Sequence, residues 1–277
     1  MRELLLPSGE AVPVLGIGTW GMGERSGNAA RETAAIHMAL DHGMSVVDTA
    51  EMYGDGAAEE LVGRALATRR DEVFLVTKVL PHHATLHGTV AACEGSLRRL
   101  GTDSIDLYLL HWQGAVPVAE TLEAFENLQR AGKIRHWGVS NLDVTNLEDL
   151  MRLPGGQKLA TDQVVYNLTR RGIEFDLLPW CTERGIPVMA YSPLEQGGVL
   201  DDPVLVRIAT EHGASPAQIA LAWVLRQPHV LAIPKASSPN HVQECRDALD
   251  VRLTPGDLAD LDRAHPPPTR KRVLEVI

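Results

Sequence analysis

With 277 residues, 44% of them hydrophobic, the chain can bury a sizeable core without disulfide or metal staples. A formal net charge of −10 argues against nucleic-acid binding through bulk electrostatics, and three scattered cysteines (Cys93, Cys181, Cys245) argue against a disulfide framework and for a reducing compartment. The apolar run Leu4-Leu5-Leu6 is too short for a signal peptide and no segment approaches ~18 apolar residues, so the expectation is a cytoplasmic protein without a membrane span.

In chain order, Leu4 to Val14 reads as a hairpin turning at Ser8-Gly9. Short apolar runs then recur near residues 15–18, 45–48, 73–77, 105–110, 134–139, 163–166, 187–190 and 230–233. Helix-like segments lie between them, at 29–41, 57–67, 88–100, 118–131, 143–152, 175–184 and 215–227. The last run is followed by a helix over 239–248 and a capped start at Thr254-Pro255-Gly256-Asp257. The repeat is about 30 residues, the length of one βα unit. Eight such units predict an α/β protein, a (β/α)8 TIM barrel with an N-terminal β-hairpin and a short C-terminal tail, as a single domain over residues 1–277. A doubly wound sheet is the competing architecture. The long interval after Tyr191 leaves room for an inserted loop. The tail from Pro266-Pro267-Pro268 cannot start as a helix and is expected outside the barrel or over its mouth.

Three of these runs each deliver a chemically able side chain at the C-terminal end. Val46-Val47 leads to Asp48, with Tyr53 in the loop beyond; Val73 to Thr77 leads to Lys78; Ile105 to Leu110 leads to His111. Parallel neighbours bring those ends to one face, where barrels carry their sites. The four groups together suggest carbonyl reduction. A phenol, with a reference pKa near ~10, is a poor acid at neutral pH. A nearby ammonium is expected to stabilise phenolate and lower that value, a carboxylate to hold the ammonium, and a histidine to position the carbonyl oxygen. No side chain supplies hydride, so a cofactor is required.

Other motifs carry less. Gly16-Ile17-Gly18-Thr19-Trp20-Gly21 matches the dinucleotide fingerprint GxGxxG, but no helix opens directly after it and the next strand ends at Asp48, too late for the ribose-binding acid. The glycines are better read as a loop after the first barrel strand, with Trp20 at the mouth. His82, His83 and His87 lack carboxylates at ligand spacing, so they read as a loop rim and no metal is expected. Ser140-Asn141, Gln163, Tyr166-Asn167 and Tyr191-Ser192-Pro193-Leu194 bring amide, hydroxyl and aromatic groups to the same face. Lys235, Ser237 and Ser238, ahead of a helix start, suit a phosphate.

Asp48-Thr49-Ala50-x-x-Tyr53-Gly54, Lys78, Leu109-Leu110-His111-Trp112, Gly138-Val139-Ser140-Asn141, Tyr191-Ser192-Pro193-Leu194 and Ile233-Pro234-Lys235 resemble the aldo-keto reductase superfamily, in order along the chain from about Leu15 to Ala248. The chain looks most like bacterial members that reduce methylglyoxal and related small carbonyls. The resemblance implies a monomeric barrel using NADPH, with Tyr53 as general acid, Lys78 and Asp48 tuning it, and His111 orienting the substrate carbonyl. It implies cofactor contacts at Thr19, Trp20, Asp48, Ser140, Asn141, Gln163, Tyr191, Ser192, Leu194, Lys235, Ser237, Ser238 and Glu244, with Tyr191 stacked on the nicotinamide and Lys235 at the 2′-phosphate. Substrate contacts would fall on Trp20, Tyr53, His111 and Trp112. His241 stands where NADPH-selective members often carry arginine, and Cys245 where asparagine is common, so NADH stays a second cofactor option. The loop Trp112 to Pro117 is short and only 13 residues follow Ala264, whereas steroid-binding members use longer segments; a small aldehyde or α-dicarbonyl is the expected substrate. A nucleotide-binding regulatory barrel with slow turnover is the alternative function.

Overall fold

Two short strands, β1 (Glu3–Leu5) and β2 (Ala11–Pro13), pair antiparallel in the computed structural model, which describes residues 1–277. The turn closes where Gly9, at φ +87°, donates its N–H to Leu6 O at 2.8 Å. Leu4 and Val12 point inward and are buried, while Glu3, Leu5 and Ala11 face out, the period-2 alternation of a one-sided ribbon. Glu10, just before β2, takes Arg135 and His136 from the start of the strand Ile134–Ser140, so the hairpin lies across the N-terminal end of the barrel.

The barrel strands are β3 (Ile17–Gly18), β4 (Val46–Asp48), β5 (Phe74–Val79), β6 (Ile105–Leu110), β7 (Ile134–Ser140), β8 (Asp162–Val165), β9 (Val188–Tyr191) and β10 (Val230–Ala232). Each pairs in parallel with the next. Parallel bridges from Leu15 to Ala232 and from Gly18 to Lys235 join the last strand to the first. The sheet therefore closes, which a doubly wound sheet does not. Every residue of β5 and β6 is buried, the reason both read as unbroken apolar runs rather than alternating ones.

Closure explains the glycine motif. A Cβ on Gly16 would lie 2.5 Å from Val46 O, and one on Gly18 would lie 2.9 Å from Ile233 O. Gly16 lets the first strand approach β4, and Gly18 lets it approach the end of β10 across the barrel seam, so these two glycines serve strand packing, and the loop expected for the motif begins only after Gly18. The chain then loops through Thr19 to Arg25 before α1 (Ala29–Asp41), so no helix N-terminus faces the motif.

The helices α2 (Ala57–Leu66), α3 (Leu86–Leu100), α4 (Val118–Arg130), α5 (Val144–Arg152), α6 (Leu177–Glu183), α8 (Pro216–Leu225), α9 (Pro239–Asp247) and α10 (Pro255–Ala264) lie within a few residues of the expected spans. One element corrects the sequence reading. The interval after Tyr191 holds more than a loop: it contains α7 (Pro203–His212). Asp202 caps that helix by accepting from Val204 and Leu205 N–H, Pro203 occupies its first turn, and Gly213 ends it in the left-handed conformation. Leu205, Ile208 and Ala209 form its buried face. One hydrophobic cluster of 73 buried residues joins hairpin, strands and helices.

The tail resolves in favour of the mouth. Lys271 pairs with Asp176 at 3.3 Å, Glu275 pairs with Arg170 at 3.2 Å, and Leu274 packs on the core. Ile277 N–H reaches Tyr191 Oη at 3.4 Å.

Candidate active site

Asp48 ends β4, Lys78 is the fifth residue of β5, and His111 directly follows β6. Parallel pairing of these three strands aligns the three positions on one rim. Tyr53 starts a 3-10 turn (Tyr53–Gly56) in the loop after β4, with its N–H on Ala50 O at 3.0 Å. The four groups meet. Lys78 Nζ donates to Asp48 Oδ2 at 2.8 Å, to Thr49 O at 2.8 Å and to Tyr53 Oη at 3.2 Å. It also lies 4.8 Å from the centre of the Tyr53 ring. The Tyr53 and His111 rings meet edge to face with centroids 6.0 Å apart.

Lys78 is fully buried, so its charge needs company. Burial pulls its pKa down, but the Asp48 carboxylate and the Tyr53 oxygen outweigh that, and the ammonium is held above its usual range. The three acceptors match the three N–H bonds of an ammonium. The Asp48 carboxyl is gripped from both sides: its other oxygen accepts from Gln163 Nε2 at 2.8 Å.

Electrostatics correct one expectation. Lys78 does pull the Tyr53 phenol toward ionisation, but burial is the larger effect and the nearby Asp48 adds to it, so the pKa rises. Sequence shows the ammonium and not the depth of the ring, which only the packed loop creates. Burial, reinforced by the Lys78 charge, drives the His111 imidazolium down to about 3, so the ring is neutral at pH 7. His111 Nδ1 is buried with no partner.

A polar ladder runs around the rim from these residues. Ser140 Oγ donates to Gln163 O at 2.7 Å. Asn141 Nδ2 donates to Ser140 Oγ at 3.0 Å and to His111 O at 3.2 Å, and its Oδ1 accepts from Tyr191 Oη at 3.0 Å. Thr19 is buried beside Asp48, with its hydroxyl on Asp48 O at 3.0 Å. Trp20 is half exposed on the lip, and Trp112 tilts against His111 with centroids 4.8 Å apart. Ser192 and Leu194 lie in the loop after β9, with Ser192 at φ +47°.

The bridge from Gly18 to Lys235 sets the loops after β3 and β10 side by side. Lys235 is exposed and pairs with no carboxylate. Ser237 is half-buried next to it, and Ser238 caps α9 by accepting from His241 N–H. Glu244, one turn into that helix, accepts from the Ser215 hydroxyl at the start of α8. His82 and His83 lie in the loop after β5 with rings 4.1 Å apart, whereas His87, expected in the same loop, falls in the first turn of α3.

Two features escaped the sequence reading. Glu51, between Asp48 and Tyr53, accepts from Leu80 N–H at 2.8 Å and from the His83 ring at 3.0 Å. Arg170 joins Glu195, in the loop after β9, to Glu275 in the tail. The carboxylate inside the Asp-Thr-Ala-x-x-Tyr segment was a signal for the first; nothing local announced the second.

Many known proteins resemble this chain in sequence and in fold. The sequence model of the aldo/keto reductase family matches residues 14–266. Methylglyoxal reductase YeaE of Escherichia coli is 49% identical, covering 100% of this chain and 99% of its own length. Glyoxal reductase of Bacillus subtilis is 36% identical over 93% of this chain and 90% of its own. A crystal structure of an aldo/keto reductase from Klebsiella pneumoniae in complex with NADP and acetate superposes with a TM-score of 0.96 at 50% identity, covering 100% of this chain and 99% of that one. Fold, rim residues and relatives agree: the chain belongs to the aldo/keto reductase family, and it is an oxidoreductase.

Proposed function

We propose that this protein reduces small aldehydes and α-dicarbonyls such as methylglyoxal to alcohols with NADPH, using Tyr53 as proton donor, and that residues 1–277 act as one barrel domain. The observation that carries the reading is the Lys78 ammonium, buried, paired with Asp48 and 3.2 Å from the Tyr53 hydroxyl. The names of relatives support it: two are a methylglyoxal reductase and a glyoxal reductase, and two similar Klebsiella pneumoniae aldo/keto reductase structures hold NADP in one and NADPH in the other.

The residues present fit that cofactor. An unpaired exposed Lys235 beside Ser237 and Ser238 suits the 2′-phosphate. The half-exposed Tyr191 ring, held by Asn141, suits stacking against the nicotinamide, with Ser140, Asn141 and Gln163 around its amide. Thr19, Trp20, Ser192, Leu194 and Glu244 complete the proposed cofactor contacts. NADPH supplies the hydride when bound.

The protein's own part is acid catalysis. A substrate carbonyl between Tyr53, His111, Trp20 and Trp112 takes a proton from Tyr53 Oη as the oxygen gains charge. Because the phenol is held protonated before reaction, the donor is loaded at neutral pH. The phenolate left behind faces Lys78 Nζ, a cation already in place, so little reorganisation is needed. Neutral His111 donates a hydrogen bond to the same oxygen without competing as an acid.

NADPH consumption at 340 nm with methylglyoxal, with NADH and a long hydrophobic steroid in parallel, tests the function. Methylglyoxal with NADPH is expected to give the highest kcat/KM. A steroid turned over far more efficiently, or no turnover of any small carbonyl, would overturn it.

A further inference from the structure

The loop that carries Tyr53 is poorly suited to holding a catalytic group by itself. Directly after Tyr53 come three residues in the left-handed region: Gly54 at φ +57°, Asp55 at +53° and Gly56 at +91°. Two are glycines, with the widest conformational freedom in the unfolded loop, and Asp55 takes a conformation that non-glycine residues avoid. Between Ala50 and Asp55, side-chain hydrogen bonds to other elements come from two residues only. Tyr53 makes one through its reacting oxygen, to Lys78. Glu51 makes the others. Its Oε1 accepts from Leu80 N–H at 2.8 Å and from His83 Nδ1 at 3.0 Å. The Glu51 side chain is only 8% exposed, while His83 is 45% exposed.

We infer that Glu51 is a positioning residue for the reduction: its carboxylate staples the Tyr53 loop to the segment after β5, fixing the Tyr53 hydroxyl relative to Lys78. The inference rests on the proposed acid role of Tyr53. Lys78 and Leu80 are two residues apart on one segment, so a bond from Glu51 to the Leu80 N–H references both loops to the same strand end. Leu80 N–H is a backbone donor in a half-buried position, and without Glu51 it loses its partner. The exposed His83 ring is the lesser contact, because water replaces it at little cost.

Misplacing a reacting group by about 1 Å costs on the order of 10²-fold in rate. Glu51→Ala is therefore expected to lower kcat about 30-fold, on that scale, while the NADPH Kd from tryptophan quenching stays within about twofold. Glu51→Leu, which fills the space without an acceptor, should lose as much and serves if the alanine variant does not fold. Glu51→Gln keeps an oxygen for Leu80 N–H and should recover most of the rate, which a role for charge alone does not allow. The deciding measurement is the pair of rates with and without Tyr53→Phe, in single turnover. If Glu51 acts through the phenol, Glu51→Ala adds nothing in the Tyr53→Phe background. A full additional loss there, or near-normal kcat for both Glu51→Ala and Glu51→Leu beside a dead Tyr53→Phe, would overturn the staple and leave the acid role standing. A Tyr53→Phe variant with normal turnover would instead remove the acid role itself.

Discussion

The two ends of the barrel solve the same backbone problem differently. At the N-terminal end, where helices hand over to strands, the left-handed turns are taken by glycines: Gly43, Gly101, Gly132 and Gly185. At the C-terminal end, every non-glycine residue with positive φ is found: Asp55, Asn141, Ser192, Glu195 and Gln196. Charges divide likewise. Near the hairpin, Asp106 takes Arg70 and Arg135, and Glu10 takes Arg135 and His136, an ion-pair network reaching the surface. At the mouth, Lys78 is sealed from water against Asp48, and His111 Nδ1 has no partner. One end is locally relaxed and its buried carboxylate, Asp106, is paired. The other stores strain and unspent hydrogen-bonding capacity, which is where function is expected to reside.

That contrast breaks most visibly at Lys78. Lys78→Met should abolish nearly all reduction and also destabilise the fold by about 3–5 kcal/mol, because Asp48 is left buried without its counter-charge. Chemical denaturation beside steady-state rates checks both. Removing Arg135, half exposed at the opposite end, should cost no more than about 1 kcal/mol and leave kcat unchanged.

The pH response of the mouth should carry a sign set by His111. Its imidazolium is disfavoured in the folded state, with a pKa of about 3 against 6.5 for the free ring. Between those values the unfolded chain binds the extra proton, so this group's contribution to stability falls as pH drops from about 6.5 to about 3. His111→Asn should flatten that part of a Tm-versus-pH curve. A variant with the wild-type acid slope would show that His111 is not the group responsible.

Lys235→Ala should raise the NADPH Kd about tenfold, the worth of one charge-assisted contact, and the NADH Kd much less. Equal losses for the two cofactors would remove Lys235 from the 2′-phosphate. The smallest effect sharpens the backbone comparison. Gln196→Gly should be neutral or stabilising by up to about 1 kcal/mol, whereas Gly132→Ala, at φ +70° with open space around it, should destabilise by about 1 kcal/mol.

How much of this was readable before folding follows from where each signal lies. The barrel was legible because its strands are buried on both faces and recur at a fixed interval. Asp48, Lys78 and His111 were legible because a strand end fixes a residue's position in space. The helix α7 carries its own marks in Asp202-Pro203, the Leu205/Ile208/Ala209 stripe and Gly213, but a repeat of one helix per strand hides it within a single long interval. The rise in the Tyr53 pKa was not legible, since burial is a tertiary property. Glu51 looked like any loop carboxylate until Leu80 and His83 closed over it, and the Glu244–Ser215 contact joins residues on two helices that no local pattern links.

The central claim is that the phenol beside Lys78 is the proton donor, and the most direct measurement is Tyr53→Phe: kcat for methylglyoxal reduction beside the NADPH Kd of the same protein. The account predicts a loss of at least about 10²-fold in kcat, the usual worth of a positioned acid, with the Kd nearly unchanged. Turnover close to wild type, with cofactor still bound, would contradict it and pass the acid role to another group on the rim.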